Sequence, residues 1–264
     1  VNALVAEIYP EKSVYYLNFT QVFFGLGSLF GPVAAGLLVS AKLGWQVCYI
    51  GMGVILLASA AIFAGARMPV NGADKIRMDD VLGLIKDKRL LLLCLSMFLY
   101  TGAEVGGWGW LSTFLRADLA FSPVKSSAAV GVFWLAMIVG RIIYSRFFHH
   151  IDTRRLIIGY SLGAGISAML AGIISNQHAV WVTIALTGLT YSCIWALIVA
   201  YGNELYGKYK GTVFALLIGS GGLGAAVLPL ALGLIAQELS IRAAIASPAL
   251  FLLFITFIFA KRKV

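Results

Sequence analysis

Charge is scarce in this sequence. Only 12% of its 264 residues are charged, where a globular domain carries about 25%, while 61% are hydrophobic and the mean hydropathy is +0.93. That excludes an ordinary water-soluble domain and points to a chain whose solvent is lipid. Acidic residues are the scarcer sign, 11 against 20 basic, for a net charge of +9. A nucleic-acid binder gathers its Lys and Arg on one exposed face, whereas here they are scattered between apolar runs, so no nucleic-acid partner is expected. Cysteine is sparse too. Cys48, Cys94 and Cys193 each stand alone in an apolar run, without CxxC spacing, which excludes a zinc cluster or disulfide framework and leaves them as expected small core residues. No P-loop or nucleophile triad is present, so neither a metal nor a cofactor is expected. An initiator Met and a signal peptide are missing as well; the chain opens in an apolar segment, Val1 to Ala6, and the expectation is of a protein whose earlier helices precede it.

What remains is apolar length. Crossing the hydrocarbon core takes about 20 largely apolar residues, and eight segments supply them, at roughly 14–39, 45–66, 90–115, 125–147, 155–175, 179–202, 211–236 and 243–260, after one partial span. The runs are continuous rather than alternating, which predicts helices and not a barrel. The fold class is therefore an all-α multi-pass membrane protein.

Lys and Arg set the orientation. With the Glu11-Lys12 loop in the cytoplasm, 16 of the 20 fall on that side, from Lys12 through Arg67, Arg146 and Lys208 to Lys263, and only Lys42, Arg116, Lys125 and Arg242 fall opposite. The positive-inside rule then places the C-terminus in the cytoplasm, in the plasma membrane of the cell. The one long polar stretch, residues 67–89, reads as a cytoplasmic linker between two bundles.

A shift of 197 residues aligns two distant segments without a gap. Glu7 falls on Glu204, Tyr9 on Tyr206, Gly25 and Gly27 on Gly222 and Gly224, Pro32 on Pro229, and Gly36 on Gly233. Five spans lie between the copies, so the two share one orientation, as in transporters built from parallel halves. The same register predicts about 110 residues, three or four helices, ahead of Val1.

Gly27-Ser28-Leu29-Phe30-Gly31-Pro32, then Gly36 and Gly44-Trp45, resembles the fifth and sixth helices of the major facilitator superfamily. Gly140-Arg141 through Arg146, then Asp152 and Arg154-Arg155, is similar to its loop between the eighth and ninth helices, with Ser145 about where the family has an Asp. Tyr100-Thr101-Gly102-Ala103-Glu104, with Trp110 to Leu115, resembles the seventh helix of the fucose permease and related sugar-proton symporters. The resemblance implies an incomplete N-terminal bundle at 1–66 (the end of helix 4, then helices 5 and 6), a linker at 67–89, and a complete six-helix bundle at 90–264. It implies a secondary transporter, monomeric at full length, moving a small solute such as a sugar by alternating access with proton coupling. An efflux antiporter of the same superfamily is the alternative, which a near match to the Gly-Pro antiporter pattern around Gly31-Pro32 keeps open. A non-transporting receptor or an enzyme ranks lower, because an enzyme would need more than one reactive group at midplane depth.

Glu104 is the sharpest candidate residue. It is the only acid well inside a span, 15 positions after Arg89 and 12 before Arg116. An ionised group at that depth costs about 2.5 kcal/mol or more unless a cavity or partner receives it, so Glu104 is expected to face the cavity and take a proton or a sugar hydroxyl. Tyr100, Trp108, Trp134, Tyr191 and Trp195 share its depth and could stack on a sugar or simply pack. Arg141, a cation inside a span, is expected to gate or to pair with Asp152, near Arg154 and Arg155. Gly27, Gly31, Pro32, Gly36, Gly224, Pro229 and Gly233 are expected at close helix contacts.

Overall fold

The computed structural model describes residues 8–9, 13–40, 43, 46–65, 83–84, 86–148 and 150–261. No strand occurs among the described residues. Helices α1 (Ser13–Ser40) and α2 (Gln46–Gly65) come first. Next is α3 (Lys88–Gly109), which runs on into α4 (Leu111–Ala117), then α5 (Pro123–Ile143), prolonged by a π turn over Tyr144–Phe148. α6 (Thr153–Ile173), α7 (Gln177–Tyr191) and α8 (Ile194–Leu205) follow. A 3-10 turn over Gly207–Tyr209 leads to α9 (Lys210–Glu238), and α10 (Ile241–Ala246) with α11 (Pro248–Ala260) ends the bundle.

Each of the eight expected spans coincides with one of these helical stretches to within three residues. The protein is a multi-pass membrane protein of all-α class: among the described residues seven stretches, from Gln46–Gly65 to Ile241–Ala260, are long and apolar enough to cross a membrane, and α1 adds a 28-residue helix. Of the partial span before Ser13 only residues 8–9 are described, and of the expected 67–89 linker only 83–84 and 86–89; the rest lies outside the described residues. Three spans are interrupted, at Trp110, at Ser192–Cys193 and at Ser247, which periodicity had shown as single runs.

Polar residues start the helices where the sequence offers them. Asp87 accepts from the Arg89 N–H, Ser122 from Lys125, Asp152 from Arg155, Asn176 from His178 and Ala179, and Ser240 from Ala243. These caps satisfy amide donors that have no partner inside the helix.

The contacts within 83–261 are held by small residues and tied at both ends. A Cβ on Gly224 would collide with the backbone carbonyl of Phe98, so α9 lies directly on α3. At one end Tyr206 donates to Asp87 (2.7 Å), Thr153 to Glu204 (2.7 Å), and Arg154 Nε to the Phe259 carbonyl (2.8 Å). At the other end Arg242 pairs with Asp118 (2.5 Å) and donates to the Ile173 carbonyl (3.1 Å), while Gln177 donates to the Leu119 carbonyl (2.9 Å). The ends group Lys and Arg as the sequence did, with Arg154, Lys208 and Lys261 on one side and Arg116, Lys125 and Arg242 on the other.

α1 meets the later helices mainly through α5 and α8. A Cβ on Gly25 would stand 2.9 Å from the Ile138 side chain and 3.9 Å from an Arg141 nitrogen, and Phe24 meets Trp134 edge to face at 5.8 Å. No described side chain of α2 is buried. Cys193 is buried as expected, whereas Cys48 and Cys94 are only half-buried.

Candidate functional site

Glu104 lies in the last third of α3, half-buried, with Tyr100 one turn earlier on the same face. Tyr100 is fully buried, and its hydroxyl stands 3.1 Å from Glu104 Oε1 and 3.0 Å from the backbone carbonyl of Tyr191. Tyr191 is the last residue of α7, where the span breaks. Two carbonyls are thereby left without the helical donors they would otherwise have. Tyr100 serves the first. The second, on Ser192, accepts from Arg141 Nε at 3.1 Å.

α5 comes close enough for this because Gly140 precedes Arg141. A Cβ at Gly140 would stand 2.5 Å from Ser192 Oγ and 2.8 Å from the Leu189 carbonyl, so any side chain would push the two helices apart. Arg141 itself is only 6% exposed. The interior thus holds a carboxyl, a phenol, a guanidinium and two backbone carbonyls around one helix break, all supplied by α3, α5 and α7. A group that must be charged in one step and neutral in another requires such surroundings.

The aromatic candidates divide into two kinds. Trp108 stacks on Phe133 (4.2 Å), and Tyr191 meets Trp108 and Phe133 edge to face (5.8 and 6.0 Å), with Tyr100 tilted against Tyr191 at 5.9 Å. Tyr100, Trp108 and Tyr191 are thus buried among the described residues, packed on one another and on Phe133. Trp134 and Trp195 are partly exposed, against Phe24 and Phe214 respectively, and remain available to a cavity. Phe133, at the centre of the cluster, was not singled out in the sequence, where it is one apolar residue among many.

The loop candidates take up local duties. Asp152 caps α6, while Arg154 closes the end of α11 through the Phe259 and Ala260 carbonyls. Arg155 is exposed and lines a cleft of about 350 Å³ with Asp152, Arg154 and Ile158. Arg141 is directed inward to Ser192, away from the loop in which a gating role was expected. A second cleft, about 570 Å³, opens at the opposite end beside Ser112, Thr113, Arg116 and Phe121.

The glycines of the two repeat copies have different surroundings among the described residues. Gly224 meets Phe98 and Gly233 meets Trp110, and Pro229 backs onto Gly106. At Gly27 and Gly31 a Cβ would meet nothing within 4 Å among the described residues, and the close approach of α1 is made at Gly25 instead. Pro32 and Gly36 lie on α1 outside the residues whose side chains are described.

A profile of the Major Facilitator Superfamily matches residues 1–185 and again 93–263. The chain belongs to the major facilitator superfamily. That the two matches overlap is the pattern an internally repeated family produces. Among curated relatives, the chain is 24% identical over 248 residues to the Protein TsgA homolog of Buchnera aphidicola subsp. Baizongia pistaciae, covering 92% of this chain and 62% of that protein. It is 26% identical over 267 residues to a glucose/galactose transporter of Brucella abortus, covering 94% and 63% respectively. In three dimensions it is similar to the fucose:proton symporter FucP of E. coli, with a TM-score of 0.70 at 16% identity over 96% of this chain and 70% of that one. The chain therefore spans about half to two thirds of the length of the curated relatives it matches.

Proposed function

We propose that this chain is the larger part of a secondary transporter that moves a small sugar by alternating access, with Glu104 carrying the coupling proton. The observation that carries this reading is the site around Glu104. Glu104, deep in an apolar span, touches the buried Tyr100 phenol, which also reaches the helix break that the buried Arg141 guanidinium holds from the other side, so its proton has a defined partner. Sugar as the substrate class rests on the glucose/galactose transporter among the relatives, on the fucose:proton symporter among the structural neighbours, and on the partly exposed Trp134 and Trp195. An aromatic face beside a carboxyl suits the apolar ring face and the hydroxyls of a sugar.

In this reading residues 1–66 belong to the first bundle, 67–89 to the linker and 90–264 to a complete second bundle. The solute passes between the bundles, close to the contact of α1 with α5. The protein sits in the plasma membrane with its C-terminus in the cytoplasm.

The test uses the full-length protein in proteoliposomes. Glu104→Gln keeps the size of the side chain and removes the titratable proton, so it should abolish proton-driven accumulation of a labelled hexose and leave counterflow largely intact. Glu104→Ala should damage both. Accumulation by Glu104→Gln with the pH dependence of the parent would show that the coupling proton travels elsewhere.

A further inference from the structure

Counting hydrogens at Tyr100 gives more than its position does. Its hydroxyl is within bonding distance of two acceptors at once, Glu104 Oε1 at 3.1 Å and the Tyr191 carbonyl at 3.0 Å. A phenol has one hydrogen to donate, and neither an ionised carboxylate nor a carbonyl has any. With Glu104 ionised, one of the two contacts has no hydrogen in it. With Glu104 protonated, its O–H donates to Tyr100 Oη, the Tyr100 O–H donates to the Tyr191 carbonyl, and both contacts are satisfied.

The carbonyl in question belongs to the residue that ends α7, directly before the Ser192–Cys193 interruption. Its neighbour, the Ser192 carbonyl, is held by Arg141. A bare carbonyl in an apolar interior is costly, so the state of Glu104 decides whether this break is held from both sides or from one.

We propose that Tyr100 is a proton-linked positioning residue, transmitting the charge of Glu104 to the helix break at 191–193. While Glu104 carries a proton, Tyr100 clamps the end of α7. When Glu104 ionises, the phenol O–H turns to the carboxylate, the Tyr191 carbonyl is released, and α7 and α8 are free to bend about the break. The only covalent bond that breaks is the Glu104 O–H, whose proton passes to water admitted to the cavity during the transport cycle; the phenol keeps its own hydrogen throughout.

The surroundings leave few other titrating groups at this level. Tyr100 is on the helix of Glu104, Arg141 faces it from α5, Tyr191 from α7, and Cys193 opens α8 against Ser192 and the Gly140 carbonyl. α1 bears no charged side chain, α9 and α11 bear none inside their spans, and Arg116 of α4 and Arg242 of α10 lie at the outer end with Asp118.

The inference rests on Glu104 as the coupling group, so its test reads the carboxyl and the hinge separately. In the full-length protein in lipid vesicles, the infrared C=O band of a protonated carboxyl that is lost in Glu104→Gln reports Glu104. Amide hydrogen exchange over residues 190–197, normalised to a reference segment for intrinsic rate, reports the break. Protection of that segment should fall as Glu104 loses its proton. In Glu104→Gln the amide donates to Tyr100 as the protonated acid does, so protection should stay high and independent of pH. In Tyr100→Phe it should be low and independent of pH, whereas a merely structural Tyr100 would lower it without changing its slope. A carboxyl that titrates while the protection of the parent stays constant overturns the relay and leaves the coupling role of Glu104 standing. A carboxyl that does not titrate overturns both. Should Tyr100→Phe fail to fold, the comparison of the parent with Glu104→Gln decides alone.

Discussion

Ala120, in the turn between α4 and α5, has φ of 54°, in the left-handed region where a Cβ crowds the following carbonyl. Ala120→Gly should therefore raise stability by about 0.5–1 kcal/mol, measured as a higher melting temperature in detergent. Tyr206 carries a pH-dependent contact outside the spans. Burial, and then its hydrogen bond to Asp87, hold its hydroxyl well above the ordinary tyrosine value of 10.0. The folded state binds that proton more tightly than the unfolded chain, so its contribution is present in full below 10.0 and lost as the pH climbs toward the raised value. Melting curves taken from neutral to strongly alkaline pH should show that loss in the parent and a flatter profile in Tyr206→Phe. Glu104 could be recognised from the sequence because an acid inside an apolar run is rare and depth follows from counting. Tyr100, Tyr191 and Arg141 could also be named from depth and charge, but their contacts could not, since Tyr191 and Ser192 take part through backbone carbonyls that every residue has, and Tyr100 and Arg141 reach those carbonyls only once α3, α5 and α7 are brought together.

Helices α3 and α9 show how one small residue fixes a spacing. At Gly224 the obstruction to a side chain is the Phe98 backbone, which has no rotamer to move, whereas at Gly222, two residues earlier, there is open space within 4 Å. Gly224→Ala should separate the two helices and cost roughly 1–3 kcal/mol, and Gly222→Ala should be neutral or slightly stabilising. Melting temperatures of the two variants, with the yield of monodisperse protein, provide the comparison. A loss at both positions would mean that helix propensity or lipid contact, and not the approach to Phe98, sets the penalty. The interruptions are the part of the elements that periodicity missed. Pro248 marks the one at Ser247, but Ser192–Cys193 carries neither Gly nor Pro, and Pro229 sits inside an unbroken α9. Breaks of this kind depend on an outside group taking the freed carbonyls, as Tyr100 and Arg141 do.

For the molecule as a whole, span number, helix class and the sorting of charges to two ends were legible, since lipid penalises polar exposure so uniformly that hydropathy alone marks the spans. The orientation can be tested directly. On intact cells making the full-length protein, a membrane-impermeant thiol reagent should label Lys125→Cys from outside and reach Lys208→Cys only after permeabilisation, against the background of Cys48, Cys94 and Cys193; the reverse pattern would invert the assignment. Less of the packing could be read, because Gly27 and Gly224 occupy equivalent places in the repeat and yet only Gly224 has a neighbour among the described residues. The bond from Arg242 to Asp118 bears on how the chain is made. The two residues are separated by 124 positions, Asp118 in the turn after α4 and Arg242 at the start of α10, and they are made at different moments of synthesis. Asp118 arrives with α4 and waits, while Arg242 arrives with α10 and joins it to the end of α6 at the Ile173 carbonyl. The pair can form only after every intervening helix has entered the membrane, so on the ribosome it is a late event that marks completed assembly rather than a contact that guides the early steps.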